Sequence, residues 1–305
     1  MPTNRKTKIE ESETIMSKKV EARYWTYKES KESKGIVCKL CPHACFIEDN
    51  RIGFCGVREN VNNTLFASSY GAVTSLVLDP IEKKPLYHFQ RGNKIVSIGG
   101  YGCNFRCGFC QNHKISMEYK KANIDFMPPE MIIQFATAAR SNGNIGIAYT
   151  YNEPLIGYEF IVDCATLAKK NGLKNVLVTN GYINKGPLVE LLPLVDALNI
   201  DIKAFNNRTY DKFAGTLEPV LETIQTAYRT CHLELTTLVV PGDNENDIEN
   251  ISRWIAKIDP NIPFHLSRFF PRHKYINAQQ TPKEIMYKAK ETAERYLTYV
   301  YLGNM

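Results

Sequence analysis

From residue 94 onward, short apolar runs rich in β-branched residues alternate six times with longer segments of helical period. Such a chain builds a parallel sheet covered by helices, because each strand returns to the sheet through a right-handed crossover. The runs are KIVSIGG (94–100), IGIAYTYN (145–152), KNVLVTNG (174–181), NIDIKAF (199–205), HLELTTLVVPG (232–242) and IPFHLSRFFP (262–271). Between them the pattern predicts helices over 128–143, up to Gly172, over 186–195, over about 208–230, from the 243–258 segment, and from Thr281-Pro282 to about Tyr296. Pro128 and Pro129 open the first and Gly143 ends it; Asp243 or Asn244 is the expected cap of the fifth. Gly99-Gly100-Tyr101-Gly102-Cys103-Asn104-Phe105 does not complete a dinucleotide fingerprint, so an incomplete TIM-type barrel is favoured over an open Rossmann sheet. Polar and reactive residues collect at the C-terminal ends of the runs, where such barrels place their chemistry.

The expected fold is therefore α/β, a partial (β/α)6 TIM-type barrel over 93–305 behind a small Cys-rich metal-binding lobe over 25–92 and a polar, frayed tail over 1–24. The lobe reads as strand-poor, although 73–78 alternates. At 305 residues and 44% hydrophobic content the core is ample. No apolar run approaches the ~20 residues of a bilayer span, and the opening segment lacks the apolar stretch of a secretory signal. A soluble cytoplasmic protein without membrane contact is expected. The net charge of +6 is scattered: Lys83-Lys84, Lys120-Lys121 and Lys169-Lys170 are isolated pairs, which speaks against a nucleic-acid partner and an RNA-modifying role.

Nine cysteines divide unevenly. Cys38, Cys41, Cys45 and Cys55 form one group and Cys103, Cys107 and Cys110 another; Cys164 and Cys231 stand apart as small apolar residues. In a reducing compartment, clustered thiolates point to soft-metal or cluster ligation rather than disulfides. Cys103-x3-Cys107-x2-Cys110 follows the first strand, and three thiolates can hold three corners of a [4Fe–4S] cubane while the fourth iron stays open. A zinc ion completed by His113 is the alternative. The four thiolates of the first group make a closed site, met most simply by structural zinc and equally by an auxiliary [4Fe–4S] cluster.

On these residues the chain resembles the radical S-adenosylmethionine enzymes, whose hallmark is this three-cysteine loop after the first strand of a partial (β/α)6 barrel, with an aromatic such as Phe109 before the last cysteine. The likeness spans about 94–297. Within the superfamily the chain resembles the pyruvate formate-lyase activating enzymes and, more fully, the AmmeMemoRadiSam-system radical enzyme. The matching segments are CKLCPHACFIEDNRIGFCGVREN (38–60), DPIEKKPLYHF (79–89), CNFRCGFCQN (103–112), YTYNEP (149–154), NIDIKAF, LTTLVVPGDNEN (235–246) and HLSRFFP (265–271).

The resemblance implies a [4Fe–4S] cluster on Cys103, Cys107 and Cys110 that cleaves S-adenosylmethionine to methionine and a 5′-deoxyadenosyl radical, which abstracts hydrogen from a protein or small-molecule substrate. It implies an electron donor such as ferredoxin or flavodoxin. Glu153, at the place of the family's Gly-Gly-Glu although this chain reads Tyr-Asn-Glu-Pro, would accept from the methionyl amine. Thr179, Asn180, Asp201 and Lys203 would surround the carboxylate and ribose, and His265 the adenosyl side. Beyond the cluster it assigns no catalytic residue. Activating enzymes with extra clusters carry those cysteines after the radical motif, whereas Cys38 to Cys55 precede it. An ion pair of purely structural role is the alternative for Asp201 and Lys203, and a core histidine for His265. For the whole chain, the alternative function is a non-catalytic zinc-binding scaffold.

Overall fold

The computed structural model describes residues 20–30 and 33–305. Most of the expected tail, 1–19, lies outside them. Its last residues do not fray: Ala22 is buried and donates to the Leu65 carbonyl at 2.7 Å, and Val20 accepts from Ala67 at 2.9 Å.

The main sheet has eight strands: β1 (Ser75–Pro80), β2 (Lys94–Gly99), β3 (Asn144–Tyr149), β4 (Lys174–Thr179), β5 (Ala197–Asp201), β6 (His232–Val239), β7 (Phe264–Arg268) and β8 (Val300–Gly303). They lie side by side in chain order, β1 antiparallel to β2 and each later pair parallel. The six expected strands are β2 to β7. Parallel strands covered on both faces are buried nearly throughout, which is why they read as short apolar-rich runs; in β2 only Lys94 is exposed.

The helices are α1 (His113–Ser116), α2 (Pro129–Ala138), α3 (Tyr158–Lys170), α4 (Lys185–Leu191), α5 (Asn207–Lys212), α6 (Glu218–Tyr228), α7 (Ile248–Ile258) and α8 (Lys283–Glu294). In α3, Tyr158, Ile161, Ala165 and Ala168 repeat at helical spacing and are buried, making one inward face. The helix expected over 208–230 is interrupted between α5 and α6, where Ala214 has φ +59° and a Cβ on Gly215 would lie 2.3 Å from the Phe105 ring. The break makes room for the cysteine loop, whose Arg106 N–H donates to the Phe213 carbonyl at 2.9 Å. Asp247, not Asp243 or Asn244, precedes α7. Asp243 is engaged by Lys212 and Tyr275, while Asn244 accepts from Val240 N–H and donates to the carbonyls of Lys203 and Leu238.

Within the span 25–92 expected for the lobe, β1 pairs with β2 along six residues and so belongs to the main sheet. The lobe is also richer in strands than expected. Trp25–Glu29, Lys34–Cys38 and Phe46–Glu48 form an antiparallel sheet, and Arg58–Val61 pairs with Thr64–Ala67 through a two-residue turn, Asn62-Asn63, both at positive φ. After β1, residues 84–89 cross the barrel interior beneath its mouth. Pro85 accepts from Asn199, and the N–H groups of Tyr87 and His88 donate to Glu234. Among the described residues, no helix is long and apolar enough to cross a membrane.

Candidate active site

The loop leaving β2 enters through Gly102, at φ +82°, where a Cβ would stand 2.6 Å from the Cys55 carbonyl oxygen. Glycine alone meets both demands without strain. The same carbonyl accepts from Cys103 N–H at 3.2 Å. Beyond it, Cys103, Cys107 and Cys110 line a cavity of about 350 Å³, in the size range of small-molecule sites. The opposite wall comes from successive strand ends: Glu153 after β3, Thr179 and Asn180 at β4, Asp201 and Lys203 at β5, Thr236 on β6 and Ser267 on β7. A flat sheet could not bring so many neighbouring strands to one cavity, so the sheet curls as a partial barrel does.

The three thiols are buried, and burial pushes each above its ordinary pKa, Cys107 to about 12. Left as thiols they are inert; a bound metal would draw off their protons. Cys103 Sγ already accepts from Phe105 N–H at 3.3 Å, and the Asn180 amide lies 4.0 Å away. Three sulfurs with N–H donors, set before an open cavity, fit a cubane cluster with one unligated iron. His113, the alternative fourth ligand of a zinc site, has Nδ1 3.3 Å from the Cys110 carbonyl. Its ligand atom groups with those of Glu118 and His273, all within 4.8 Å of one another.

Burial pushes the Glu153 carboxyl up to about 7, against the pull of its hydrogen bonds and of Lys203. Oε1 accepts from Thr179 Oγ1 (2.6 Å) and Leu155 N–H (3.0 Å), and Oε2 from Asn180 N–H (2.8 Å). One acceptor position on Oε2 is left over. Asn180 is fixed in turn, donating to Asn104 Oδ1 at 2.8 Å and accepting from Tyr182 N–H. Lys203 pairs with Asp201 at 3.0 Å. Burial opposes its charge, but Asp201 and the Cys107 sulfur outweigh that and hold its pKa above the ordinary value. The pair is thus an ion pair and a cavity wall at once.

His265 is not in this group. It lies deeper in β7, with Nε2 2.6 Å from Glu234 Oε2, and its ring faces Tyr87 and Tyr301. The cavity is lined also by Lys84 and by Tyr151, to which the sequence reading gave no specific role, and Asp79 holds both. Asp79 accepts from Lys83, Lys84 and Tyr151 at 2.9, 2.9 and 2.7 Å. Burial works against its charge, yet these donors hold its pKa well below the usual carboxylate range. Lys84 is itself buried, 4.8 Å above the Tyr151 ring, and both line the cavity. Tyr151 has φ +73°, uncommon for a side chain of its size. The charged DPIEKK stretch inside an apolar surrounding was the available signal.

Cys38, Cys41, Cys45 and Cys55 meet around a second, small cavity with Arg58, His43 and Ile156. Burial pushes Cys41 up to about 12 and Cys55 to about 11; at Cys38 and Cys55 the nearby Arg58 charge opposes it. Cys164 is buried within α3, and Cys231 Sγ lies 3.6 Å from the Ala227 carbonyl.

Residues 97–255 match the family model described as the Radical SAM superfamily. The chain is 43% identical over 285 residues to a Methanocaldococcus jannaschii protein named "Uncharacterized protein MJ0808", covering 91% of this chain and 84% of that one. It is 23% identical over 217 residues to the pyruvate formate-lyase 1-activating enzyme of Escherichia coli K12, covering 64% of this chain and 86% of that one. Streptococcus suis SuiB shares the fold, with a TM-score of 0.50 and 12% identity over 68% of this chain and 47% of that one.

Proposed function

The chain belongs to the radical S-adenosylmethionine superfamily of enzymes, and from that premise we propose that it cleaves S-adenosylmethionine reductively at the cavity below its three-cysteine loop. The non-catalytic scaffold falls with that membership. What supports the reading is that Cys103, Cys107, Cys110 and Glu153 line one cavity. The cysteines would hold three irons of a [4Fe–4S] cluster, which, when bound, supplies the electron that splits the C5′–S bond and so yields methionine and a 5′-deoxyadenosyl radical. The spare acceptor position of Glu153 suits the methionyl ammonium, and the opposite charges of Lys203 and Asp201 suit a carboxylate and ribose hydroxyls respectively. The cavity walls keep a primary radical from water until it takes hydrogen from a substrate. Kinship with activating enzymes makes a protein residue one candidate substrate and a small molecule the other; segments 38–60 and 79–89 ally the chain with the AmmeMemoRadiSam-system enzymes. Cys38, Cys41, Cys45 and Cys55 hold a second metal centre in this reading.

The test is anaerobic purification, iron and sulfide analysis, and 5′-deoxyadenosine release with a strong reductant. Replacing any one of Cys103, Cys107 or Cys110 with alanine should abolish release. Full activity in such a variant would contradict the assignment.

A further inference from the structure

Arg58 is 1% exposed, among the largest fully buried side chains of the molecule. Its Nη1 donates to Glu159 Oε1 at 2.8 Å, but Nε and Nη2 have no partner, although both are buried. Native structures seldom leave buried donors unpaired, least of all on a charged group. The cavity that Arg58 lines is the one lined by Cys38, Cys41, Cys45 and Cys55. Four thiolates around a divalent zinc ion, or around a cubane in its 2+ state, carry two negative charges, and their sulfurs accept N–H hydrogen bonds.

We propose that Arg58 is the hydrogen-bonding counter-charge of an anionic tetrathiolate metal centre on Cys38, Cys41, Cys45 and Cys55, donating Nε–H and Nη2–H to its sulfurs. The inference rests on the reading that these cysteines hold metal. Arg58 binds no metal; it positions and neutralises. Glu159 holds Nη1 through Oε1, which also accepts from Arg23 N–H at 2.7 Å, while its Oε2 is buried without a partner. A lysine could supply the charge but not the planar pair of donors.

The experiment uses the full-length chain with Cys103, Cys107 and Cys110 replaced by alanine, so that bound metal reports on the lobe. Zinc is supplied in one arm and iron with sulfide in the other, anaerobically. Metal retention against a chelator is then compared for Arg58, Arg58→Lys and Arg58→Met. Loss of the N–H donors to the sulfurs should weaken retention about 10- to 100-fold in Arg58→Met, with Arg58→Lys in between. Where the centre is iron–sulfur, Arg58→Met should also lower its reduction potential, because N–H···S bonds and positive charge favour the reduced state. Because Arg58→Met strands Glu159, the double variant Arg58→Met/Glu159→Gln is measured beside it. Retention restored in the double variant, or unchanged in Arg58→Met, overturns the role of Arg58. A parent lobe that takes up metal in neither arm overturns instead the four-thiolate reading on which it rests.

Discussion

In the proposed function Glu153 receives the methionyl ammonium, and its surroundings bear on how it would do so. Its environment carries two opposed demands: burial favours the neutral acid, and three donors from Leu155, Thr179 and Asn180 favour the carboxylate, leaving it near 7. A cationic amine on Oε2 would tip that balance toward charge. Glu153→Gln keeps an acceptor for Thr179 and Leu155 but turns an amide toward Asn180 N–H and offers the amine no anion. S-adenosylmethionine binding should weaken tenfold or more in this variant while iron content stays at the parent level. Calorimetric titration beside iron analysis checks both; iron lost in step with affinity would make Glu153 a structural residue.

At the level of elements, the irregular segment over residues 84–89 is held to the barrel by Glu234. This fully buried carboxylate accepts from Tyr87 and His88 N–H and lies against His232 and His265. Burial alone would raise its pKa; these partners outweigh it and hold it at about 2. Below the ordinary carboxylate value the unfolded chain takes up a proton that the folded chain resists. The stabilisation, worth about 3 kcal/mol, is therefore complete above pH ~4.5 and is lost as the pH falls toward ~2. Glu234→Gln should be destabilised by roughly that amount at pH 6, and the gap to the parent should narrow as urea denaturation is repeated toward pH 3.5. A gap independent of pH would mean that packing, not charge, is lost. The same elements show what the sequence made legible. Strands β2 to β7 announced themselves as short runs rich in β-branched and apolar residues, even where buried polar residues such as Asn199, Glu234 and His265 interrupt them. Strand β1 did not: its edge position alternates like any hairpin strand, and only pairing with β2 assigns it to the barrel. The gap between α5 and α6 was equally hidden, since helical period continues across it and the cause, the Phe105 ring, comes from a loop a hundred residues away. The site was legible where spacing carries chemistry, at the three-cysteine loop, and at Glu153, Asp201 and Lys203 through kinship. Lys84 pairs locally with Asp79 but reaches the cavity only through the fold.

At the scale of the molecule, the lobe is an integral wall of the barrel's active end rather than an appendage. Cys103 N–H donates to the Cys55 carbonyl, joining a ligand residue of one proposed centre to a ligand residue of the other. Arg58 pairs with Glu159 in the first turn of α3, Asn184 binds Lys39 and Leu40 ahead of α4, and His43 Nε2 lies 2.7 Å from the Asn104 carbonyl. A lobe this small has too little core to stand alone, so on the proposed four-thiolate reading the free energy of metal binding that orders it would also order the face that supports the cysteine loop. Lobe and barrel should then unfold in one calorimetric transition. In the chain lacking the three loop thiols, stripping the lobe with a chelator should lower the midpoint of that whole transition on the order of 5 °C. Two separated transitions, with the upper one indifferent to the chelator, would mean that the contacts between lobe and barrel carry no coupling.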